Sequence, residues 1–294
     1  MAEAPRTYVV GQAEIAARPL EPALYLVATP IGNLGDITLR ALETLTGADL
    51  LACEDTRVTR VLLDRYGIRQ RPVAYHEHNA GEAGPKLIAA LAEGKSVALV
   101  SDAGTPLVSD PGFRLVEQAL AAGIKVVPIP GPSAVLAALT ASGLPSDAFL
   151  FAGFLPVKDG QKRTRLGELA AVPATLVFFE SPRRVAETLD VMAEVLGDRR
   201  AAIGRELTKT FEEMRTGTLG ELAAHYAEAS TPKGEIVICV GPPPEKAESA
   251  EDVDRLLASL AAEMPASKAA AEAARMTGQT KQALYRRLLE LKDG

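Results

Sequence analysis

The sequence has 294 residues, with no tryptophan, two cysteines, three histidines and 4% aromatic residues. Cys53 and Cys239 lie far apart, each inside or ending an apolar β-like run, and nothing occurs at CxxC spacing. That argues against a disulfide framework or a cysteine metal site and predicts two small buried hydrophobes in a reducing compartment. His76-Glu77-His78 supplies two imidazoles and a carboxylate, but His225 is too distant in sequence to present itself as a third ligand, so no metal is expected. No apolar run approaches the roughly 20 residues of a membrane span. The first residues carry acids, prolines and broken apolar pairs instead of a basic and then apolar leader, which predicts a cytoplasmic protein.

Several catalytic signatures are missing as well. Gly32 and Gly35 follow the first strand without the G-x-G-x-x-G spacing, which removes the best support for nicotinamide chemistry. Gly94-Lys95-Ser96 has Ala89 where a P-loop needs glycine, and it precedes a strand instead of opening a helix. Pro132-Ser133-Ala134 is followed by Val135, not by the glycine of a nucleophile elbow.

What is present is ample apolar material: 47% hydrophobic residues, enough for a core in each of about two domains. Residues 1–22 read as a mobile extension without sustained periodicity. From Leu24 strand-like and helical segments alternate. Strands are expected at 24–28, 49–53, 72–75, 96–100 and 125–129, and helices at 37–47, 56–66, 82–93, 112–122 and 133–142. Leu39, Leu42 and Leu45 repeat at helical spacing, while Val97 to Val100 is the continuous apolar run of a buried parallel strand. The fold class is α/β, with an N-terminal doubly wound domain over 23–145. Gly143-Leu144-Pro145 interrupts the pattern, and a second α/β domain with a mixed sheet is expected over 146–241. Gly241-Pro242-Pro243-Pro244 reads as a stiff linker into a helical tail, 245–294, shaped like a helix-turn-helix.

A formal net charge of −6 lacks the basicity of most nucleic-acid binders. Lys158, Lys162, Arg163 and Arg165 nevertheless cluster against Asp159, and the tail holds Lys268, Arg275, Lys281, Arg286, Arg287 and Lys292. Each cluster is either a phosphate-binding patch or an ordinary solvated face, and the tail is either a nucleic-acid contact or a packing or dimer element.

Three loops at the carboxyl ends of strands carry most of the functional information: Thr29-Pro30-Ile31-Gly32-Asn33, Ser101-Asp102-Ala103-Gly104-Thr105-Pro106 and Pro130-Gly131-Pro132-Ser133-Ala134. In one α/β sheet such loops converge on a crevice. They belong to an ordered series: TPIGNLGD (29–36), CEDTR (53–57), YHEHN (75–79), SDAGTPLVSDPG (101–112), PGPSA (130–134), FAGFLP (151–156), FESPRR (179–184), GRELTK (204–209) and KGEIVI (233–238). The series closely resembles the bacterial small-subunit ribosomal RNA (cytidine-2'-O)-methyltransferases, members of the tetrapyrrole methylase superfamily. Similarity runs from about Leu24 to Val240, and the tail is similar too.

The resemblance implies a homodimeric enzyme that uses S-adenosylmethionine to methylate the ribose 2'-hydroxyl of a cytidine in the decoding region of 16S ribosomal RNA within the small subunit. It places the cofactor in a cleft between two domains, against Pro30, Asp102, Ala103, Gly104, Ser133, Ala134 and Gly234. A carboxylate such as Asp102 suits the ribose diol or the ammonium of that cofactor. Because a ribose hydroxyl is a poor acid, a base or a lysine is expected to assist loss of its proton. Glu180 and Lys209 are the first candidates, followed by Glu54, Asp55 and Glu206. Against these stand a helix-cap role for Asp55, an ion pair of Glu180 with Arg183, and surface charge for Glu206 and Lys209. The alternative activity is methylation of a tetrapyrrole such as a precorrin. A non-enzymatic nucleic-acid module leaves three convergent loops unexplained.

Overall fold

A computed structural model describes residues 5–108, 112–228, 231–244 and 250–293. Ser109-Asp110-Pro111 of the SDAGTPLVSDPG motif, the start of the expected extension and tail, and the side chain of Lys292 lie outside the described residues. Two compact units divide at Pro242 and Pro243.

In the first unit, strands β3 (Leu24–Val27), β4 (Leu50–Cys53), β5 (Val73–Ala74), β6 (Val97–Val100) and β7 (Val126–Ile129) form a five-stranded sheet in the order β5-β4-β6-β3-β7. Its pairings are all parallel. Side-chain alternation sends Tyr25, Val27, Leu51, Cys53, Ala98 and Val100 to one face and Leu24, Ala52, Val97 and Leu99 to the other. Helices α1 (Leu39–Gly47) and α2 (Thr56–Arg65) cover the first face, and α3 (Ala80–Ala92) and α4 (Phe113–Ala121) the second. Of the three leucines at helical spacing on α1, Leu42 and Leu45 are buried, whereas Leu39 in the first turn points outward. Pro128 is tolerated because β7 is an edge strand, paired only with β3.

Residues 7–16 differ from the expected mobile extension. Strands β1 (Thr7–Val10) and β2 (Ala13–Ala16) make an antiparallel hairpin. Tyr8 is buried in the core shared with α1 and α2, the Val9 amide donates to the Tyr66 carbonyl at 2.8 Å, and the Arg6 guanidinium donates to the Ala48 carbonyl. The apolar positions are too few for the period to declare itself in sequence; the partner is a helix pair already committed to the sheet.

A second five-stranded sheet has the order β11-β10-β12-β9-β8, with strands β8 (Phe149–Phe154), β9 (Thr175–Glu180), β10 (Arg200–Arg205), β11 (Glu213–Thr218) and β12 (Ile236–Val240). Only β8 and β9 are parallel, so the sheet is mixed. Strand β11, Glu-Met-Arg-Thr-Gly-Thr, has little apolar content because it lies at the sheet edge. Helices α6 (Asp159–Leu169), α7 (Val185–Leu196) and α8 (Leu219–Glu228) pack on one face. The other face takes Val135, Ala138 and Leu139 from α5 (Ala134–Ala141), the helix that leaves the first sheet, against Val177, Ala202, Val237 and Cys239. Helix α5 thereby brings the loops of the first sheet to the second.

The second unit consists of α9 (Ala250–Glu263), α10 (Ala266–Thr277) and α11 (Lys281–Asp293). Val253, Leu257, Ala269, Ala270, Ala273, Leu284 and Leu288 form its core, and Gly278 ends α10 in the left-handed conformation. No helix among the described residues is long and apolar enough to cross a membrane.

Candidate active site

The loops after β3, β6 and β7 leave three adjacent strands of the first sheet, which is why they converge. They are also tied together. Thr29 and Gly104 exchange backbone hydrogen bonds of 2.9 and 3.0 Å, the Thr29 hydroxyl donates to the Ser101 carbonyl at 3.2 Å, and the Thr105 hydroxyl donates to the Pro132 carbonyl at 3.3 Å. Ser133 caps α5 by accepting the Leu136 amide at 3.4 Å. From the second sheet, the ends of β9 and β10 and the start of β12 meet at one margin, where Ile236 pairs with both Glu180 and Arg205.

Between these loops lies a cleft of about 370 Å³. Ala103, Gly104, Ser133, Ala134, Gly234 and Glu180 all line it. A second recess of about 350 Å³ holds Pro30, Asp102 and Lys209, with Val58 and Val61 of α2. Ile31, Ala103 and Glu235 belong to the walls of both, so cleft and recess adjoin. Sequence reasoning missed Ile31, Phe154, Phe179, Ile236 and Val237, the apolar walls of the cleft. Their signal lay in the motifs TPIGNLGD, FAGFLP, FESPRR and KGEIVI, where Pro30, Glu180 and Gly234 drew the choice.

The 206–209 loop interlocks with two others through glycine. Lys209 folds its stem across Gly32, whose φ is +146°; a β-carbon there would stand 2.4 Å from Lys209 Cγ. Gly234, at φ +97°, is covered by the Glu206 carboxylate, 2.1 Å from where a β-carbon would sit. Only glycine permits both approaches. Glu206 and Thr208 themselves have positive φ, 50° and 67°, and Leu107 beside the cleft has 73°. Such left-handed non-glycine residues cost roughly 1–2 kcal/mol each and persist where the surroundings enforce them.

The Lys209 ammonium donates to Glu206 at 2.7 Å and to Glu235 at 3.1 Å. Burial opposes its charge, but these hydrogen bonds outweigh burial and hold its pKa above the ordinary lysine value. Its partner Glu206 also accepts the Glu235 amide at 3.0 Å and is held below the usual carboxylate range, chiefly by the hydrogen bond from Lys209. Lys209 is thus a fixed cation and Glu206 a weak base.

Glu180 is 3% exposed, with both oxygens engaged: one accepts the Ser181 amide at 2.6 Å and faces Arg184 at 3.4 Å, the other accepts the Thr188 hydroxyl at 2.7 Å. Its ion-pair partner is Arg184, not Arg183. This carboxylate fixes the loop that closes one side of the cleft. Asp102 accepts the Asp55 amide at 2.8 Å through Oδ1, and Oδ2 makes no hydrogen bond among the described residues. Asp55 caps α2 through the Arg57 amide, and its hydrogen bonds to Arg57 hold its pKa near 2.

The basic segment on α6 departs from a phosphate-binding patch. Lys162 is completely buried and donates to Glu187 at 2.6 Å, Arg163 pairs with Asp159 and Glu194, and Arg165 pairs with Glu168. In the tail, Arg275 pairs with Glu272, and Arg287 bridges Asp254 and Glu290.

Residues 23–223 match the Tetrapyrrole (Corrin/Porphyrin) Methylases, and residues 247–292 match the RsmI C-terminal HTH domain. The chain belongs to the tetrapyrrole methylase family. It is 79% identical over 286 residues to a protein of Mesorhizobium japonicum named ribosomal RNA small subunit methyltransferase I, covering 97% of each chain. The Escherichia coli O157:H7 protein of the same name is 49% identical over 270 residues, 91% of this chain and 94% of that one. Among solved structures, a cobalt precorrin-4 methyltransferase matches with a TM-score of 0.56 and 20% identity, over 75% of this chain and 95% of the other, which shows the shared fold. This tetrapyrrole methylase is a methyltransferase with the two-sheet architecture of its family and a helical C-terminal unit.

Proposed function

We propose that the protein transfers a methyl group from S-adenosylmethionine to the ribose 2'-hydroxyl of a cytidine in the decoding region of 16S ribosomal RNA, acting in the cytoplasm on the small subunit. The names of relatives that match nearly its whole length support this reading over a tetrapyrrole substrate. The observation that carries it is the pairing of an apolar cleft with an adjoining recess that holds a fixed lysine cation.

A volume near 370 Å³ falls within the range of small-ligand sites. Phe154, Phe179, Ile236 and Val237 suit a purine, and the backbone at Ala103, Gly104, Ser133, Ala134 and Gly234 suits polar edges that need close approach. Pro30 and Asp102 stand next to them, and Asp102 Oδ2 suits a diol or an ammonium. When bound, the cofactor supplies a methyl group made electrophilic by a sulfonium. The protein's own residues orient the partners and exclude water. Lys209, held protonated, stabilises the negative charge that develops on the ribose oxygen as it takes the methyl group and its proton passes to bulk solvent, and Glu180 positions the 181–184 loop. On the surface, Phe113 and Leu120 stand seven residues apart on one face of α4, 68% and 60% exposed, in keeping with a homodimer.

The test is incubation with methyl-labelled cofactor and, in parallel, small subunits, free 16S RNA or a precorrin, followed by digestion to nucleosides. Label in 2'-O-methylcytidine is expected. Label on a base or on the macrocycle would overturn the proposal.

A further inference from the structure

We infer that the RNA backbone is held by an arginine-lined groove between the β1–β2 hairpin and α2, a surface distinct from the paired charges of α6. This rests on the RNA-methylating function proposed above. Five arginines, Arg57, Arg60, Arg65, Arg69 and Arg71, fall within residues 57–71, and all are exposed. Arg57 is committed to Asp55. The other four form no salt bridge among the described residues, in contrast to Arg163, Arg165, Arg275 and Arg287.

Arg60, Arg69 and Arg71 line a groove of about 620 Å³, together with Gly67, Ile68 and residues of the hairpin. The groove is held open by structure: the Arg60 guanidinium donates to the Gln70 carbonyl at 3.1 Å, and the hairpin is fastened by the bond from the Val9 amide to the Tyr66 carbonyl. Two acids share the walls, Asp64 and Glu14, and Glu14 accepts the Thr7 hydroxyl at 2.6 Å. Three guanidiniums against two carboxylates still leave a cationic strip on a chain of net charge −6.

Its position gives the strip a use. Arg60 and Asp64 of α2 face this groove, whereas Val58 and Val61 of the same helix line the recess that holds Lys209. A polynucleotide lying along Arg60, Arg69 and Arg71 would therefore pass within one helix width, about 10 Å, of the reacting site. Guanidiniums bind phosphate in a bidentate fork, and each phosphate neutralised steepens the salt dependence of binding by nearly one log-log unit on duplex and about 0.7 on single strands.

The experiment is a salt titration of binding to small subunits for the full-length parent, for the combined Arg60→Gln, Arg69→Gln and Arg71→Gln variant, and for its Arg→Lys counterpart. The glutamine variant should lose about two units of slope and bind at least tenfold more weakly near physiological salt, with affinity for S-adenosylhomocysteine unchanged. The lysine variant should recover most of the slope. A glutamine variant that keeps the parent's slope while the parent methylates the subunit overturns the surface alone. A parent that neither binds nor methylates the subunit overturns the function reading and the surface with it.

Discussion

Lys209 is held in place from three sides: Gly32 beneath its stem, and Glu206 and Glu235 at its ammonium. Its raised pKa means that the lysine stays protonated up to and beyond its unfolded value near 10.4, and that the benefit of the pairing disappears only as pH climbs through the higher folded value. The single-turnover methylation rate should therefore show no limb from lysine deprotonation between pH 7 and 10, and Lys209→Met should lower that rate by about 10² with cofactor affinity within a few fold. A rate that rises in the parent with a midpoint near pH 8, and not in the variant, would make Lys209 a base. Cys239 gives a simpler test. Burial raises its thiol pKa to about 12 and also raises that of Cys53, so neither should react with a disulfide reagent in the native protein, and both should react in denaturant.

At the scale of elements, the hairpin and α6 show where sequence reasoning ends. Deleting residues 5–17 would uncover the site of Tyr8 and remove the bond to Tyr66; Tyr8→Ala alone should cost about 3 kcal/mol in chemical denaturation. A mobile extension would predict no change. Replacing Arg163 and Arg165 with glutamine should leave the salt slope of RNA binding untouched, because both already face carboxylates. The linear sequence shows four cations near one acid; it does not show that Glu187 and Glu194, a helix away, fold over them. By contrast, the parallel strands were legible, since burial on both faces demands continuous apolar runs such as Val97 to Val100. The three strand-end loops were legible for a related reason: glycine, proline and a single acid mark places where chain direction changes at a strand end. The apolar cleft walls were not, because Phe154 or Ile236 looks in sequence like any other strand residue.

At the scale of the whole first unit, two sheets of different construction share one helix. Helix α5 leaves the parallel sheet and packs on the mixed one, which sets the loops of both around a common cleft. The proposed function requires that cleft to hold the cofactor. Titration calorimetry of S-adenosylhomocysteine tests it most directly, with the parent and with Ala134→Phe, which places a ring into the cleft from the first turn of α5. The parent should bind one ligand per chain and the folded variant at least tenfold more weakly. Equal affinity in the two proteins would contradict the assignment of the cleft.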